Sequence, residues 1–210
     1  MSSELTKKIK RMYLALNIVS NKNFDEIEAQ ISGDTKHRRM SIDFNKDADQ
    51  TELEDNAGRL VANIASLKDH LKVWCKANNV QFKGEDLINN NKDSVALVHD
   101  LWNLDKHGKF DRETRSGHTP KLQNLHTALK MTASPGGRSS VAMNLRTGEV
   151  TLKGEGHAMT LVADVVDEHG TRLGRLDEIC ERAADLWYKE MESAGVPMHP
   201  FNNTPPALET

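Results

Sequence analysis

Apolar residues recur every three or four positions in four stretches of the chain, and this spacing predicts helices. The stretches are 4–20, 53–74, 94–107 and 176–193. From Leu60 to Trp74 the apolar residues are spaced 4, 3, 4 and 3 apart. Such spacing is typical of a helix that packs along a near-antiparallel neighbour.

The predicted helix at 94–107 has signals at both ends. Asp93 is the candidate N-cap, and Gly108 stands where a left-handed glycine would end the helix. The preceding stretch 76–92 is polar and predicts a connection. After the helix, Thr119-Pro120 predicts an N-cap and first turn of another helix, with a short extended segment as the alternative.

Strand patterns are concentrated in the second half. Two short runs, 140–146 and 149–153, flank Thr147-Gly148 and predict a hairpin. Residues 157–166 alternate between apolar and polar positions, and 171–173 extend the sheet. Earlier in the chain, 24–31 predict a short strand or a helical turn, and 32–52 an irregular segment.

The order of elements predicts an α+β fold, in which an antiparallel helical bundle adjoins a small antiparallel β-meander and a C-terminal helix. The bundle is placed at 1–134, with the meander and last helix packed on it at 137–194. The tail 197–210 holds four prolines and is predicted to be disordered.

Composition narrows the function classes. The chain has 210 residues, 37% hydrophobic and 28% charged, as expected of a soluble globular protein. A net charge of -3 argues against a strongly basic protein that coats nucleic acid, but it permits a local basic site. No apolar run approaches the ~20 residues that span a bilayer. With Cys75 and Cys180 interpreted as reduced structural thiols, these features favour a cytoplasmic protein without a membrane partner.

The most informative stretch lies at the end of the helix predicted at 94–107. Asp100, Asn103 and His107 are spaced i, i+3 and i+7, so they form one stripe beside the apolar seam. A histidine can serve as general acid or base, an asparagine can orient a ribose or an imidazole, and Lys106 adds a positive charge for a phosphate. The alternative is structural, since cations suit the last turn of a helix that Gly108 caps.

The residues Leu-Trp-Asn-Leu-Asp-Lys-His-Gly at 101–108 resemble the helix-terminal signature of HEPN-domain proteins, an arginine and a polar residue followed by a histidine. Asn103 matches the polar position and His107 the histidine, while Trp102 stands in the arginine position. The segment is also similar to uncharacterised bacterial and phage proteins that carry Asn-x-x-Lys-His. The resemblance covers about 53–130 and implies a helical bundle, often dimeric, and in many members a metal-independent ribonuclease.

This resemblance implies an RNA-binding protein or a metal-independent endoribonuclease in a defence, toxin or mobile-element context. His107 would be the acid or base, Asn103 the orienting group and Lys106 the electrostatic stabiliser, with Asp100 on the same stripe. A homodimer would bring two stripes together. Because Trp102 cannot stabilise a developing negative charge as arginine does, the alternative is a non-enzymatic dimeric interaction or regulatory module with Trp102 at its interface.

Two further features of the sequence bear on the chemistry of the site. The pair Asp69-His70 would approach the stripe and tune His107 if the two strongest helices pack antiparallel; the alternative is a surface ion pair. Nine histidines occur, but the chain has no His-x3-His, no His-Glu-x-x-His and no cysteine cluster. We therefore expect no metal and no cofactor.

Overall fold

A computed structural model of the chain defines two compact units, which we describe separately. The structure describes residues 2–16, 29–33, 38–42, 49–108, 113–131, 140–143, 150–153 and 157–197. The first unit comprises 1–16, 49–125 and 161–201, and the second 17–48, 126–160 and 202–210. Both units draw residues from each side of the boundary predicted at 134–137.

The first unit holds the helices, and its element types confirm the α+β prediction. The helices are α1 (Ser2–Leu16), α2 (Gln50–Ala65), α3 (Leu67–Asn78), α4 (Gly84–Asn90), α5 (Val95–His107) and α6 (Leu176–Ser193). α5 contacts α2, α4 and α6, and α1 packs on α2 and α3. Because α5 has neighbours on several sides, its residues from Val95 to Leu101 are all buried.

The single helix predicted at 53–74 is wrong in one respect, because the structure divides it into α2 and α3 at Ser66. Ser66 ends one helix and begins the next with φ -69° and ψ -13°, and its hydroxyl donates to the carbonyl of Asn63 at 3.1 Å. These dihedral angles stay near the helical region. Ile64 and Leu67 are consequently both buried across the break.

The stretch 76–92, predicted as a polar connection, contains the short helix α4. Seven residues are too few for a helix that is stable alone, so tertiary contacts must stabilise it. Ile88 supplies the anchor, since its side chain is fully buried, and Gly84 is buried at the start of the helix. α4 thereby packs against α3, α5 and α6.

α5 confirms the predicted helix end but not its predicted start. Gly108 adopts the left-handed conformation at φ 69°, and its N–H donates to the carbonyl of Leu104 at 2.7 Å. The N-cap residue is Ser94, not Asp93. The carboxylate of Asp93 instead approaches Arg182 of α6 at 3.5 Å.

The helix predicted after Thr119-Pro120 is wrong and its alternative, an extended segment, is confirmed, because the structure has a strand there. β3 (Lys121–Met131) belongs to a three-stranded antiparallel sheet of order β3-β6-β7, with β6 at His157–Val166 and β7 at Arg172–Arg175. Asn124 has a positive φ of 54°, which interrupts the strict alternation of a strand. The leucines at 122 and 125 have the three-residue spacing of a helix face, although they lie in a strand.

The predicted hairpin and the long strand are confirmed, but they do not form one meander. β4 (Ser140–Met143) pairs antiparallel with β5 (Val150–Lys153) in a separate two-stranded sheet. β6 instead pairs with β7, with a register irregularity at Val165/Val166. Sequence spacing predicts which strands exist, whereas the choice of partner depends on long-range contacts.

In the second unit, β1 (Ala29–Gly33) pairs antiparallel with β2 (Arg38–Ile42). The strand alternative at 24–31 is thus confirmed in part, and the irregular prediction for 32–52 is wrong at β2. The predicted disordered tail lies outside the described residues after Pro197. None of the described helices combines the length and apolar character needed to cross a membrane.

Candidate functional site

Asp100 is an interior residue, with a relative exposure of 1%. Its carboxylate accepts hydrogen bonds from the backbone N–H of Arg115 at 3.1 Å, the N–H of Ser116 at 2.8 Å and the Ser116 hydroxyl at 2.6 Å. Three donors satisfy most of what a buried carboxylate needs. Asp100 therefore holds the turn that contains Arg115 and Ser116 against α5 through hydrogen bonds.

The other stripe residues lie progressively nearer the surface. Asn103 is half-buried, and His107 is exposed in the last turn of α5. The stripe therefore exists on the helix as predicted, but its members differ in depth. Only Asn103 and His107 are placed where a ligand at the end of α5 can reach them.

Trp102 and Lys106 form a contact of their own on α5. The Lys106 ammonium lies 5.2 Å from the centroid of the Trp102 ring, within the range of a cation–π interaction. The two residues are i and i+4, so helix geometry brings them together. The side chain in the arginine position of the HEPN signature thus carries a neighbouring cation on its face.

A second polar network joins α3, α4 and the turn after α5. The Glu85 carboxylate contacts the Lys68 ammonium at 2.6 Å through one oxygen and the Arg115 guanidinium at 2.8 Å through the other. Burial raises the pKa of Glu85, but the hydrogen bonds from Lys68 and Arg115 outweigh it and lower the pKa to about 2. These three residues are far apart in the sequence, so no local spacing pointed to them.

His99 was missed by the sequence analysis because it sits inside an apolar run. It is 4% exposed, and its ring meets Trp102 and Trp187 edge-on, with centroids 6.3 Å apart in both pairs. Burial, followed by the charges of Lys68 and Arg115, lowers the pKa of His99 to about 3. Within the described residues, neither His99 Nε2 nor Trp187 Nε1 has a hydrogen-bond partner.

The pair Asp69-His70 lies beside α1. Asp69 is exposed and His70 is half-buried. Burial and the charge of Lys8 lower the pKa of His70, while Asp69 and Glu4 oppose that shift. His70 is therefore surrounded by charges of α1 and of its own helix, and its proposed action on His107 stays a prediction.

The cleft next to α5 opens on the side of the apolar seam. It has a volume of about 390 Å³ and lies between α2, α5 and the start of β3. From α5 it is lined by Leu101, Leu104 and Asp105, not by the stripe. Asn103 and His107 thus belong to a different surface of the helix.

Comparison of the chain with protein-family models, with curated proteins and with solved structures gives no match. The resemblance to HEPN-domain proteins accordingly rests on residues 101–108 and the helices around them. In the described ranges, no three His, Cys, Asp or Glu side chains are grouped so that they could hold a metal ion. Cys75 and Cys180 are free and buried, and burial raises the pKa of both thiols.

We expect the network of Lys68, Glu85 and Arg115 to make the free energy of unfolding depend on pH in the acid range. Because the folded-state pKa of Glu85 lies below its ordinary value of 4.5, its contribution is present above pH 4.5 and is lost as the pH falls towards about 2. The side chain is 47% exposed, so solvent screening limits the contribution to about 1 kcal/mol. Urea unfolding of wild type and Glu85→Gln between pH 7 and pH 3 measures it. A difference between the two proteins that does not shrink on acidification contradicts this assignment.

Proposed function

We propose that this chain is a HEPN-like module that binds RNA at the exposed C-terminal end of α5, without a metal ion. The observation that supports the proposal best is the Lys106 ammonium held over Trp102, the residue in the arginine position. Asn103 and His107 belong to the same end of the helix, one half-buried and one exposed. A cation, an amide and an imidazole are thus available on one short surface.

The chemistry of this surface suits a phosphodiester. An ammonium is a compact charge that attracts phosphate oxygens, and the amide and imidazole offer hydrogen bonds to a ribose or a phosphate. Holding Lys106 over the indole ring also restricts its flexible side chain, which reduces the entropy lost on binding. RNA is the partner to which the 101–108 resemblance points.

Binding without cleavage is the form of this function that the geometry favours. The Asp100 carboxylate already accepts hydrogen bonds from Arg115 and Ser116. It is therefore not available to orient His107. Lysine also lacks the bidentate fork with which arginine stabilises a developing phosphorane charge. Among the described residues at the end of α5, His107 is the only histidine that is exposed, and one imidazole is a weak general acid–base system.

Fluorescence anisotropy with a labelled single-stranded RNA at low salt tests the proposal. We expect Trp102→Ala and Lys106→Met each to weaken binding by about fivefold, the effect of losing roughly one phosphate contact. Lys189→Met, on the exposed face of α6, is the matched control and should bind like wild type. Equal affinity in all four proteins, or no binding by wild type, contradicts the proposal.

Incubation of the same RNA in the presence of a chelator separates binding from catalysis. Wild type and His107→Ala should both leave the RNA intact. Cleavage by wild type that His107→Ala abolishes would instead make the protein a metal-independent ribonuclease, with His107 as its acid or base.

A second candidate function, a non-enzymatic dimeric interaction module, is favoured by the exposure of Trp102. The ring is only half-buried on the helix surface, and tryptophans of this kind contribute strongly to protein interfaces. Sedimentation analysis of wild type and Trp102→Ala discriminates the two functions. A wild-type dimer that the substitution dissociates, together with no RNA affinity, would favour the interaction module.

A further inference from the structure

The Lys68–Glu85–Arg115 network has an uncommon distribution of depth. The side chains of Lys68 and Arg115 are 16% and 20% exposed, whereas the carboxylate that neutralises them belongs to a side chain that is 47% exposed. The two cations are thus the deeper members of the network, and the carboxylate that joins them lies nearer the solvent.

The charges of this network do not balance. Two cations face one carboxylate, and the neighbouring carboxylate of Asp100 is committed to N–H and hydroxyl donors of the turn at 115–116. Arg115 contacts Glu85 through one terminal nitrogen, although a guanidinium carries five N–H donors. A phosphate has more acceptor oxygens and more charge than a carboxylate, so it can engage the arginine fork and the lysine at once.

The buried imidazole of His99 adds a second, independent observation. His99 is 4% exposed, its Nε2 has no partner within the described residues, and the charges that act on it are those of Lys68, Arg115 and Glu85. An unpaired polar atom that is buried costs free energy in the folded chain. A ligand or water that reaches Nε2 would satisfy it.

Glu85 can leave the network without removing the buried anchor of α4. It stands in the first turn of α4, and that helix is anchored through the fully buried Ile88 rather than through Glu85. Its side chain is sufficiently exposed to rotate into solvent. We infer that Lys68 and Arg115 form a phosphate-binding site, which Glu85 occupies as an internal competitor when no phosphate is bound. The inference uses none of Trp102, Asn103, Lys106 and His107, so it does not depend on the RNA-binding proposal.

Removal of the competitor tests the inference, with inorganic phosphate as the probe. Thermal unfolding and calorimetric titration are compared for Glu85→Gln and for Asp86→Asn, which removes the adjacent exposed carboxylate of α4. We expect Glu85→Gln to bind phosphate about tenfold more tightly than Asp86→Asn or wild type, because an internal carboxylate no longer competes. Adding Arg115→Gln to Glu85→Gln should abolish that gain.

The same titration with a nucleoside 5′-monophosphate identifies the source of the phosphate. Tighter binding than inorganic phosphate points to a phosphate ester, and equal binding to the free ion. If Glu85→Gln fails to fold, Glu85→Asp replaces it in the test, because its side chain is one methylene shorter. Glu85→Asp must then show the same gain in phosphate affinity. Equal phosphate affinity in the Glu85 and Asp86 variants overturns the inference. The titration measures phosphate and the anisotropy measures RNA, so the two results are read separately.

Discussion

Replacing Asp100 by alanine should lower the free energy of unfolding by about 3–5 kcal/mol. The carboxylate is 1% exposed and accepts three hydrogen bonds from Arg115 and Ser116. Alanine removes the acceptor and leaves two backbone N–H groups and a buried hydroxyl without it. The turn at 115–116 then loses its attachment to α5, so the cost exceeds that of one hydrogen bond.

Urea unfolding of Asp100→Ala measures this effect. Asp185→Ala, which removes an exposed aspartate of α6, is the control and should change the free energy of unfolding by less than about 0.5 kcal/mol. A loss under about 1 kcal/mol for Asp100→Ala would contradict the structural role. In that event Asp100 would return as a candidate member of the site at the end of α5.

Replacing Trp187 by alanine should cost about 3–5 kcal/mol, the range for truncating a large buried aromatic residue. Trp187 is fully buried on α6, and its ring meets that of His99 on α5. A methyl group on Gly84 of α4 would lie only 3.1 Å from the indole, so the ring also contacts the start of that helix. The substitution therefore opens a cavity where three helices meet.

Phenylalanine at position 187 distinguishes packing from hydrogen bonding. The indole N–H has no partner within the described residues, so Trp187→Phe removes an unsatisfied donor as well as volume. Thermal and urea unfolding should place Trp187→Phe well above Trp187→Ala in stability. Loss of similar size in both variants would show that the indole nitrogen makes a stabilising contact.

Elements with a strong local pattern were predictable from the sequence. α6 and β6 have the predicted bounds because the apolar residues of α6 recur at helical spacing and those of β6 alternate. Gly108 ends α5 as predicted, since a residue without Cβ is favoured at φ 69°. In these places the local preference and the tertiary contacts agree.

Elsewhere long-range contacts decided the outcome. β3 carries leucines at helical spacing, but it forms a strand because it pairs with β6. The seam from Leu60 to Trp74 gives no sign of the break at Ser66, because the helical face continues through it. A sequence pattern reports which face is apolar, and it does not report where a neighbour ends a helix.

The candidate site also has features that were predictable from local spacing and features that depend on long-range contacts. Helix geometry correctly placed Asp100, Asn103 and His107 on one stripe of α5, and it also explains the contact of Lys106 with Trp102. The depth of Asp100 was not predictable, since it depends on a turn 15 residues further along the chain. The network of Lys68, Glu85 and Arg115 joins three elements, so only the folded chain reveals it.

Photo-crosslinking is the most direct test of the proposed RNA binding at the end of α5. A single-stranded RNA that contains 4-thiouridine is irradiated with the full chain, and the crosslinked peptides are identified by mass spectrometry. We expect crosslinks in the peptide that contains residues 102–108, with a marked loss in Lys106→Met and none in Lys189→Met. Crosslinks confined to other peptides, or unchanged in Lys106→Met, would contradict it.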